Sequence, residues 1–263
     1  MKHPVPGRIV LWLDGPHDAP ENMARDAALL ERCAGGAADV VFRLFTFSPP
    51  GITLGRAQDP AVELDLERLA AKGIRWASRP TGGRAIWHDE ERTFSLTTPL
   101  SRGWAATPAA CYERTSAVLA GALRRLGVPA TVAPGSPRGT GAPRARSGAA
   151  PPCFASTARH ELVLEGRKLA GIAQRAVRGA LLQQGSILLG DSHARLADHV
   201  RVPEEQRTLL REALLADTAT AGAALGPDRA LRRLAAALAI EMPPAQWVEG
   251  VDGAHGLGLS DNF

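Results

Sequence analysis

The chain has 263 residues, 45% of them hydrophobic, a formal net charge of +4 and a sequence pI near 9.4. This size suits one substantial core with a small appended lobe. No run of about eighteen or more apolar residues is present, and Asp14 interrupts the first apolar stretch, so we expect a cytoplasmic protein with no signal peptide and no membrane association. The basic charge permits nucleic-acid binding, but the single Tyr and the lack of a recognised motif argue against it.

Strands and helices alternate along the first part of the chain, which is typical of an α/β protein. Apolar residues at helical spacing, among them Met23, Leu30 and Cys33, predict a helix that ends at a glycine. The predicted elements before residue 79 are a strand at 8–13, a helix at 21–36, a buried strand at 39–47, a turn and short strand at 48–55, a helix at 62–73 and a strand at 74–78.

The later part of the chain continues this pattern around one unusual segment. Residues 133–152 are rich in Pro, Gly and Arg and hold few apolar side chains, which predicts a mobile loop. The other predicted elements are a hairpin formed by 85–87 and 92–100, a helix at 108–127, two or three strands within 160–190, and helices at 203–216 and 227–240.

Residues 79–90 read RPTGGRAIWHDE and place two adjacent glycines between two β-rich segments. Arg79 and Arg84 flank the pair, and His88 follows it. By itself such a pair is typical of a turn with solvated arginines. His88 is ambiguous, since an imidazole in this position either donates to the backbone or simply packs. The histidines show no zinc-ligand spacing, and we predict no metal site.

The lysines of this sequence are informative because they are rare. Among 31 basic residues only Lys2, Lys72 and Lys168 are lysines. Lys72 precedes a glycine at a predicted helix end, where a cation suits the helix dipole. Lys168 has no such explanation. An ammonium can lose its proton when it is desolvated and a guanidinium cannot, so Lys168 is a candidate for chemistry.

The three cysteines, at positions 33, 111 and 153, show no metal-ligand spacing, and we expect reduced thiols. Cys33 and Cys111 lie in helical patterns among apolar neighbours, which is typical of buried cysteines. Cys153 follows two prolines at the entry from a loop to a strand, and this position favours a reactive thiol over a packed one.

Four segments, in this order, carry a resemblance to a known superfamily: NMARDAALL, FRLFTFSPPGITLGRAQ, RPTGGRAIWHDEERTFSL and GRKLAGIAQRAVRGALLQQGSILL. Over roughly residues 8–200 the chain resembles the lipoate-protein ligase, octanoyltransferase and biotin-protein ligase superfamily. The resemblance implies an α/β (α+β) fold with a mixed β-sheet flanked by helices. It also implies a catalytic domain at 1–200 and a C-terminal helical extension of the same domain at 201–263.

Within this superfamily the segment PPCFASTARHELVLEGRKLAGIAQ resembles the octanoyltransferases that carry a Cys-Phe pair. The resemblance implies that Cys153 attacks an octanoyl or lipoyl thioester of an acyl carrier protein. It implies that Lys168 orients the thioester and moves protons while a lysine of a lipoyl-domain protein attacks. Such acceptors are the glycine cleavage H protein and a 2-oxoacid dehydrogenase E2 subunit.

The same resemblance implies substrate-binding residues in two places. The acyl chain would run along residues of the glycine loop, namely Arg79, Thr81, Gly82, Gly83, Arg84, Ala85 and His88. The thioester would lie beside Gly171, Ile172 and Ala173. The family often has Ser where this chain has Ile172, so no hydroxyl contribution is expected there.

Two alternatives remain open from the sequence. An ATP-dependent lipoate-protein ligase would bind the acyl chain along the same glycine loop and would use Lys168 with ATP and Mg²⁺. It would not need Cys153. A non-enzymatic module that carries lipoyl groups is the other. We expect the transferase, which needs no cofactor, because of the Cys-Phe pair and the TGGRA spelling of the glycine loop. The roughly sixty residues after the last predicted strand, enough for a few helices, also favour it, since such ligases often carry an accessory C-terminal domain.

Overall fold

The computed structural model describes residues 7–100, 103–133, 161–225 and 230–250, together with His255 and Leu257. Within these ranges the strands β1 to β11 span, in chain order, Ile9–His17, Val40–Phe47, Gly51–Leu54, Arg75–Ser78, Ile86–His88, Glu91–Pro99, Thr131–Val132, Leu162–Leu164, Arg167–Val177, Ala180–Leu188 and Gln246–Glu249. The helices α1 to α6 span Ala19–Ala34, Pro60–Glu63, Leu66–Ala71, Pro108–Arg125, Glu204–Ala216 and Ala230–Glu241. Short 3₁₀ helices lie at Asp191–Asp198 and Gly222–Leu225.

Eight of these strands form a mixed sheet in the order β11-β1-β2-β6-β10-β9-β8-β7. The strands β11, β1 and β2 are parallel, and the remaining neighbours are antiparallel. A second sheet has the order β4-β3-β5. The predicted fold class, a mixed sheet flanked by helices, is confirmed.

Helices cover both faces of the large sheet. Alternate residues of a strand point to opposite faces. Phe42 and Leu44 of β2 pack in one core cluster with residues of α4 and α6, whereas Val41, between them, packs with Leu29 of α1. The helix α1 therefore lies on one face, and α4 with α6 lies on the other.

The hairpin predicted from 85–87 and 92–100 is wrong. Both strands form, but β5 pairs with β3 in the small sheet, and β6 pairs with β2 and β10 in the large one. Trp87 of β5 lies opposite Ile52 and packs with it in a separate apolar cluster. Burial of this apolar side chain on a different sheet outweighs local pairing between neighbouring strands.

The helix predicted at 62–73 is two helices, α2 and α3. Asp65 accepts a hydrogen bond from the Arg68 amide through its side chain and so caps the second one. Leu64, just before it, is fully buried and bridges to Val200. Turning Leu64 into the core breaks the helix and starts a new one.

The helices predicted beyond residue 200 correspond to α5 and α6, but this region is not only helical. The strand β11 follows α6 and adds to the edge of the large sheet beside β1. Leu234 and Leu238 of α6 pack in the main core. The predicted helical extension thus needs correction, because this part of the chain also completes the sheet.

Candidate functional site

The Gly-pair loop, residues 79–85, connects β4 to β5 and folds around the guanidinium group of Arg79. Arg79 is 4% exposed. Its Nη2 donates to the carbonyl oxygens of Gly82 and Arg84, both at 2.8 Å, and its Nη1 donates to the carbonyl of Thr53 at 3.3 Å. These contacts of Arg79 are with the protein backbone, so Arg79 stabilises the loop from inside. The predicted contact of Arg79 with substrate stays a prediction.

Thr81 joins the Gly-pair loop to the large sheet. Its Oγ1 donates to Oε1 of Gln184 on β10 at 2.7 Å, and Nε2 of Gln184 donates to Oδ2 of Asp26 on α1 at 2.6 Å. Asp26 accepts two more hydrogen bonds on Oδ1, from Ser95 at 2.7 Å and from Arg43 at 2.8 Å. A buried hydrogen-bond network therefore fixes the loop against α1 and three strands.

The glycines of the loop differ in their surroundings. Gly83 has a φ of +99°, a conformation that favours glycine. A Cβ on Gly55 would lie 2.0 Å from the carbonyl oxygen of Gly83, so the two backbones need this close approach. At Gly82, by contrast, no described atom lies within 4 Å of the position of a Cβ. Gly82 faces open space, whereas Ala85 is buried in the cluster with Trp87.

The predicted residues of β9 pair with β10. Gly171, Ile172 and Ala173 lie opposite Ser186, Gly185 and Gln184, respectively. Ala173 therefore shares a sheet face with Gln184, whose side chain contacts Thr81. Ile172 points to the other face, packs in the main core, and accepts a hydrogen bond on its carbonyl from the Tyr112 hydroxyl at 3.1 Å. The Gly-pair loop and Ala173 are brought together, but the side chain of Ile172 is not part of this arrangement.

Lys168 lies near the start of β9 and is 2% exposed. Its Nζ is 2.8 Å from Oε1 of Glu161, which is 3% exposed. The segment after α5 runs along the Lys168 backbone, since the Lys168 amide donates to the Asp217 carbonyl and the Ala219 amide donates to the Lys168 carbonyl, both at 2.9 Å.

Glu161 is a candidate functional residue that the sequence reasoning missed. The signal was the short turn at 165–166, which folds β8 back on β9. In the resulting register Val163 lies opposite Lys168 and Leu162 lies opposite Ala170, with a register shift between the two pairs, so that Glu161, just before β8, lies beside the first half of β9. An acidic residue near a buried lysine across such a hairpin is the expected partner for its charge.

His88 is held in a second buried polar cluster. Its Nδ1 lies 2.6 Å from Oε1 of Glu91, and its Nε2 lies 2.6 Å from the Thr53 hydroxyl. The imidazole stacks on Phe47 with ring centroids 3.9 Å apart. Thr53 also accepts from Arg79 at 3.3 Å, so this cluster supports the same loop. The described contacts of His88 fix its ring in the protein, and direct contact with substrate stays a prediction.

A buried ionic cluster extends the network away from the loop. Nε of Arg43 donates to Oδ2 of Asp14 at 2.7 Å, and Nη1 of Arg25 donates to its Oδ1 at 3.0 Å. Burial alone would raise the pKa of Asp14, but the hydrogen bond to His17 and the charges of Arg43 and Arg25 hold it below its ordinary value. The cluster explains why polar residues occur on the inner face of α1, which the sequence reasoning did not explain.

Two of the three cysteines lie within the described residues. Cys33 and Cys111 are buried, as predicted, and burial raises the pKa of the Cys111 thiol. Cys153, the predicted nucleophile, lies outside the described residues, as do residues 134–152 of the predicted mobile loop.

The described ranges hold neither a cluster of metal ligands nor a membrane-spanning helix. No group of three or more His, Cys, Asp or Glu side chains there is arranged to hold a metal ion. None of the helices in those ranges is long and apolar enough to span a bilayer.

Over residues 18–218 the sequence matches the family model described as the lipoyl protein ligase A/B catalytic domain. The chain belongs to this family. Two curated relatives are both named octanoyltransferase LipM. The one from Kyrpidia tusciae is 37% identical over 193 residues, which are 73% of this chain and 70% of that protein. The one from Moorella thermoacetica is 36% identical over 206 residues, 77% of this chain and 71% of that protein.

Solved structures of lipoate-protein ligases share the fold. Lipoate-protein ligase A bound with ATP superposes with a TM-score of 0.68 at 20% identity, covering 96% of this chain and 92% of that chain. The bipartite ligase from Thermoplasma acidophilum gives a TM-score of 0.67 at 17% identity, covering 96% of this chain and 90% of that chain. The chain thus shares the overall fold of these lipoate-protein ligases.

Proposed function

We propose that this protein is an octanoyltransferase of protein lipoylation. It takes an octanoyl or lipoyl group from the thioester of an acyl carrier protein in the cytoplasm. It transfers that group to a lysine of a lipoyl-domain protein such as the glycine cleavage H protein or a 2-oxoacid dehydrogenase E2 subunit. The observation that carries this proposal is the 37% identity with an octanoyltransferase over 73% of the chain.

The proposed chemistry has two steps, linked by a thioester of the acyl group with Cys153 that forms in the first step and reacts in the second. The Cys153 thiolate attacks the carbonyl carbon of the donor, the bond to the carrier sulfur breaks, and the carrier thiolate takes up a proton. The neutral acceptor amine then attacks the enzyme thioester, an amide bond forms, the carbon–sulfur bond to Cys153 breaks, and the departing Cys153 thiolate takes up the proton that the amine loses. The energy for the amide is present in the donor thioester, so no nucleotide or metal enters this proposal.

The geometry of the described residues supports a site beside the Gly-pair loop. Gly82 faces open space, and the backbone there is held from inside by Arg79. Thr81 ties the loop to Gln184, which lies opposite Ala173 on β9. Lys168 precedes Gly171 on that strand. Rigid surroundings of this kind suit the binding of a flexible acyl chain, because little further ordering of the protein is needed.

The test compares two minimal mixtures that contain the same apo lipoyl domain. One holds octanoyl-acyl-carrier-protein without ATP or Mg²⁺, and the other holds free octanoate with both. We expect the acceptor to gain the mass of one octanoyl group in the first mixture and none in the second. Modification in the second mixture alone would overturn the proposal in favour of an ATP-dependent ligase.

The role of Cys153 is tested by a matched pair of variants. Cys153→Ala should give no acyl-enzyme on intact mass measurement and no transfer. Cys33→Ala, which truncates a buried thiol packed against Leu30 and Leu182, should keep both. Acylation of Cys153→Ala at the level of the parent protein would show that another residue carries the group.

A further inference from the structure

The buried pair formed by Lys168 and Glu161 has no evident function in folding that an apolar pair could not perform. Both side chains are almost completely excluded from solvent, and their charged atoms are 2.8 Å apart. Burying two charges is costly, and replacing such a pair by apolar residues is often neutral or stabilising. A buried ion pair at the lysine that the family resemblance implicates in the reaction therefore points to a role in that reaction.

We propose that Glu161 is a positioning residue that holds Lys168 in place as a charged ammonium next to the acyl-transfer site. The inference rests on the proposed function and deepens it, because it states how the cation of that site is maintained. Lys168 then acts as a fixed positive charge that stabilises the developing oxyanion of the thioester, and the proton of the acceptor amine goes to the departing Cys153 thiolate.

The backbone around Glu161 fixes its carboxylate. The carbonyl oxygen of Glu161 accepts a hydrogen bond from the Ala133 amide at 2.8 Å, at the end of β7. The hairpin of β8 and β9 sets Val163 opposite Lys168. Because both ends of the pair are anchored to strands, the ammonium is placed by the sheet and not by the flexible lysine chain alone.

The segment at 217–219 places further titratable and polar groups around Lys168. Asp217 contributes its backbone carbonyl, and its residue is exposed. Thr218, which bridges to the Lys168 backbone, bonds His193 Nε2 at 3.1 Å. Glu161 therefore supplies a carboxylate in direct contact with the ammonium, and His193 lies beyond Thr218.

The deciding variants are Glu161→Gln and Glu161→Asp. In E161Q the ammonium stays buried but loses the Glu161 carboxylate beside it, which disfavours the charged form of Lys168. We expect kcat for octanoyl transfer to fall at least tenfold at pH 8, with KM for the donor changed less than twofold. A new decline of kcat with rising pH should appear. E161D keeps a shorter carboxylate and should lie between E161Q and the parent protein in both respects.

Glu165→Gln is the matched control. Glu165 lies in the turn of the same hairpin and is exposed, and the change removes the same charge without touching the buried pair. Its pH profile should equal that of the parent protein. Profiles of E161Q and E161D that also equal the parent profile would overturn the proposal, as would a pH-independent loss of rate in both.

A second readout does not depend on activity. The chain has three lysines, so labelling with [ε-¹³C]lysine gives a simple NMR spectrum in which K168R assigns the Lys168 signal. The pH at which the Lys168 signal shifts should be lower in E161Q than in the parent protein. If circular dichroism shows that E161Q does not fold, E161D provides the test. A kcat and a pH of the NMR transition in E161D equal to those of the parent protein would then overturn the proposal.

The two readouts separate the possible failures. If the parent protein transfers no octanoyl group in any mixture, the proposed function is contradicted. The NMR comparison then still shows whether Glu161 holds the Lys168 charge. An unchanged NMR transition in E161Q, with transfer intact in the parent, sinks only the role of Glu161.

Discussion

Thr81 and Gln184 are 103 residues apart in sequence, and the Thr81 hydroxyl donates a 2.7 Å hydrogen bond to the side-chain oxygen of Gln184. Thr81→Val removes this donor and leaves the buried side-chain oxygen of Gln184 without the hydrogen bond from Thr81. We expect a loss of about 1–3 kcal/mol in the free energy of unfolding, the usual cost of an unsatisfied buried group. Octanoyl transfer should fall as well, because the Gly-pair loop loses its bond to the sheet. Urea unfolding and transfer assays measure the two effects.

Thr97→Val is the control for that change. Thr97 is buried on β6, and its Oγ1 has no hydrogen-bond partner among the described residues. The same substitution there removes no hydrogen bond, and we expect stability within about 0.5 kcal/mol of the parent protein or above it. Equal losses in both variants would show that the Thr81 bond contributes nothing specific.

Gly82→Ala separates the binding of substrate from folding. A Cβ at this position meets no described atom within 4 Å, so the melting temperature should stay within about 2 °C of the parent value. If the acyl chain runs past Gly82, the added methyl group should raise KM for octanoyl-acyl-carrier-protein severalfold. A variant with parent stability and parent KM would place the acyl chain elsewhere.

Lys168→Arg should strongly reduce turnover. The guanidinium group is larger than the ammonium it replaces, and the site is buried with Glu161 only 2.8 Å away. We expect kcat to fall at least tenfold while the far-ultraviolet circular dichroism stays native. Lys72→Arg, at the exposed C-cap of α3, is the control and should keep full activity. Turnover near the parent rate in K168R would mean that any buried positive charge suffices.

His199 makes the stability of the protein sensitive to acid. The residue is buried and stacks on Trp87 with ring centroids 4.9 Å apart. Burial lowers the pKa of His199 to about 4, and the charge of Lys72 adds to this effect. In the unfolded chain a histidine has a pKa of about 6.5, so the unfolded state binds a proton first as the pH falls. Stability is therefore full above about pH 6.5 and declines between there and about pH 4.

His199→Phe keeps an aromatic ring on Trp87 and removes the titration. Between pH 7 and pH 5 the parent protein should lose about 2 kcal/mol more unfolding free energy than the variant, from the difference between the two pKa values. Urea unfolding curves at the two pH values test this. Parallel losses in both proteins would show that other groups cause the acid sensitivity.

The sequence predicted much of the local structure because local rules govern it. Apolar periodicity and capping residues predicted α1, α4, α5 and α6, and alternation or apolar runs predicted the central strands. The glycine after Lys72 ends α3 with a φ of +63°, as the cap pattern indicated. Local rules did not reveal β7 or β11. These strands have 2 and 4 residues, and their apolar patterns are too short to stand out.

For the candidate site, the sequence identified Lys168 by its rarity and the Gly-pair loop by its glycines, since both are properties of residue type. Only the tertiary structure showed that Glu161 neutralises Lys168, that Gln184 holds Thr81, and that β5 and β6 enter different sheets. These relationships depend on contacts between distant segments, and each is decided by which arrangement buries the most apolar surface while leaving the buried polar groups paired. The periodicity of a segment predicts which of its faces is buried, but it does not identify the segment that packs against that face.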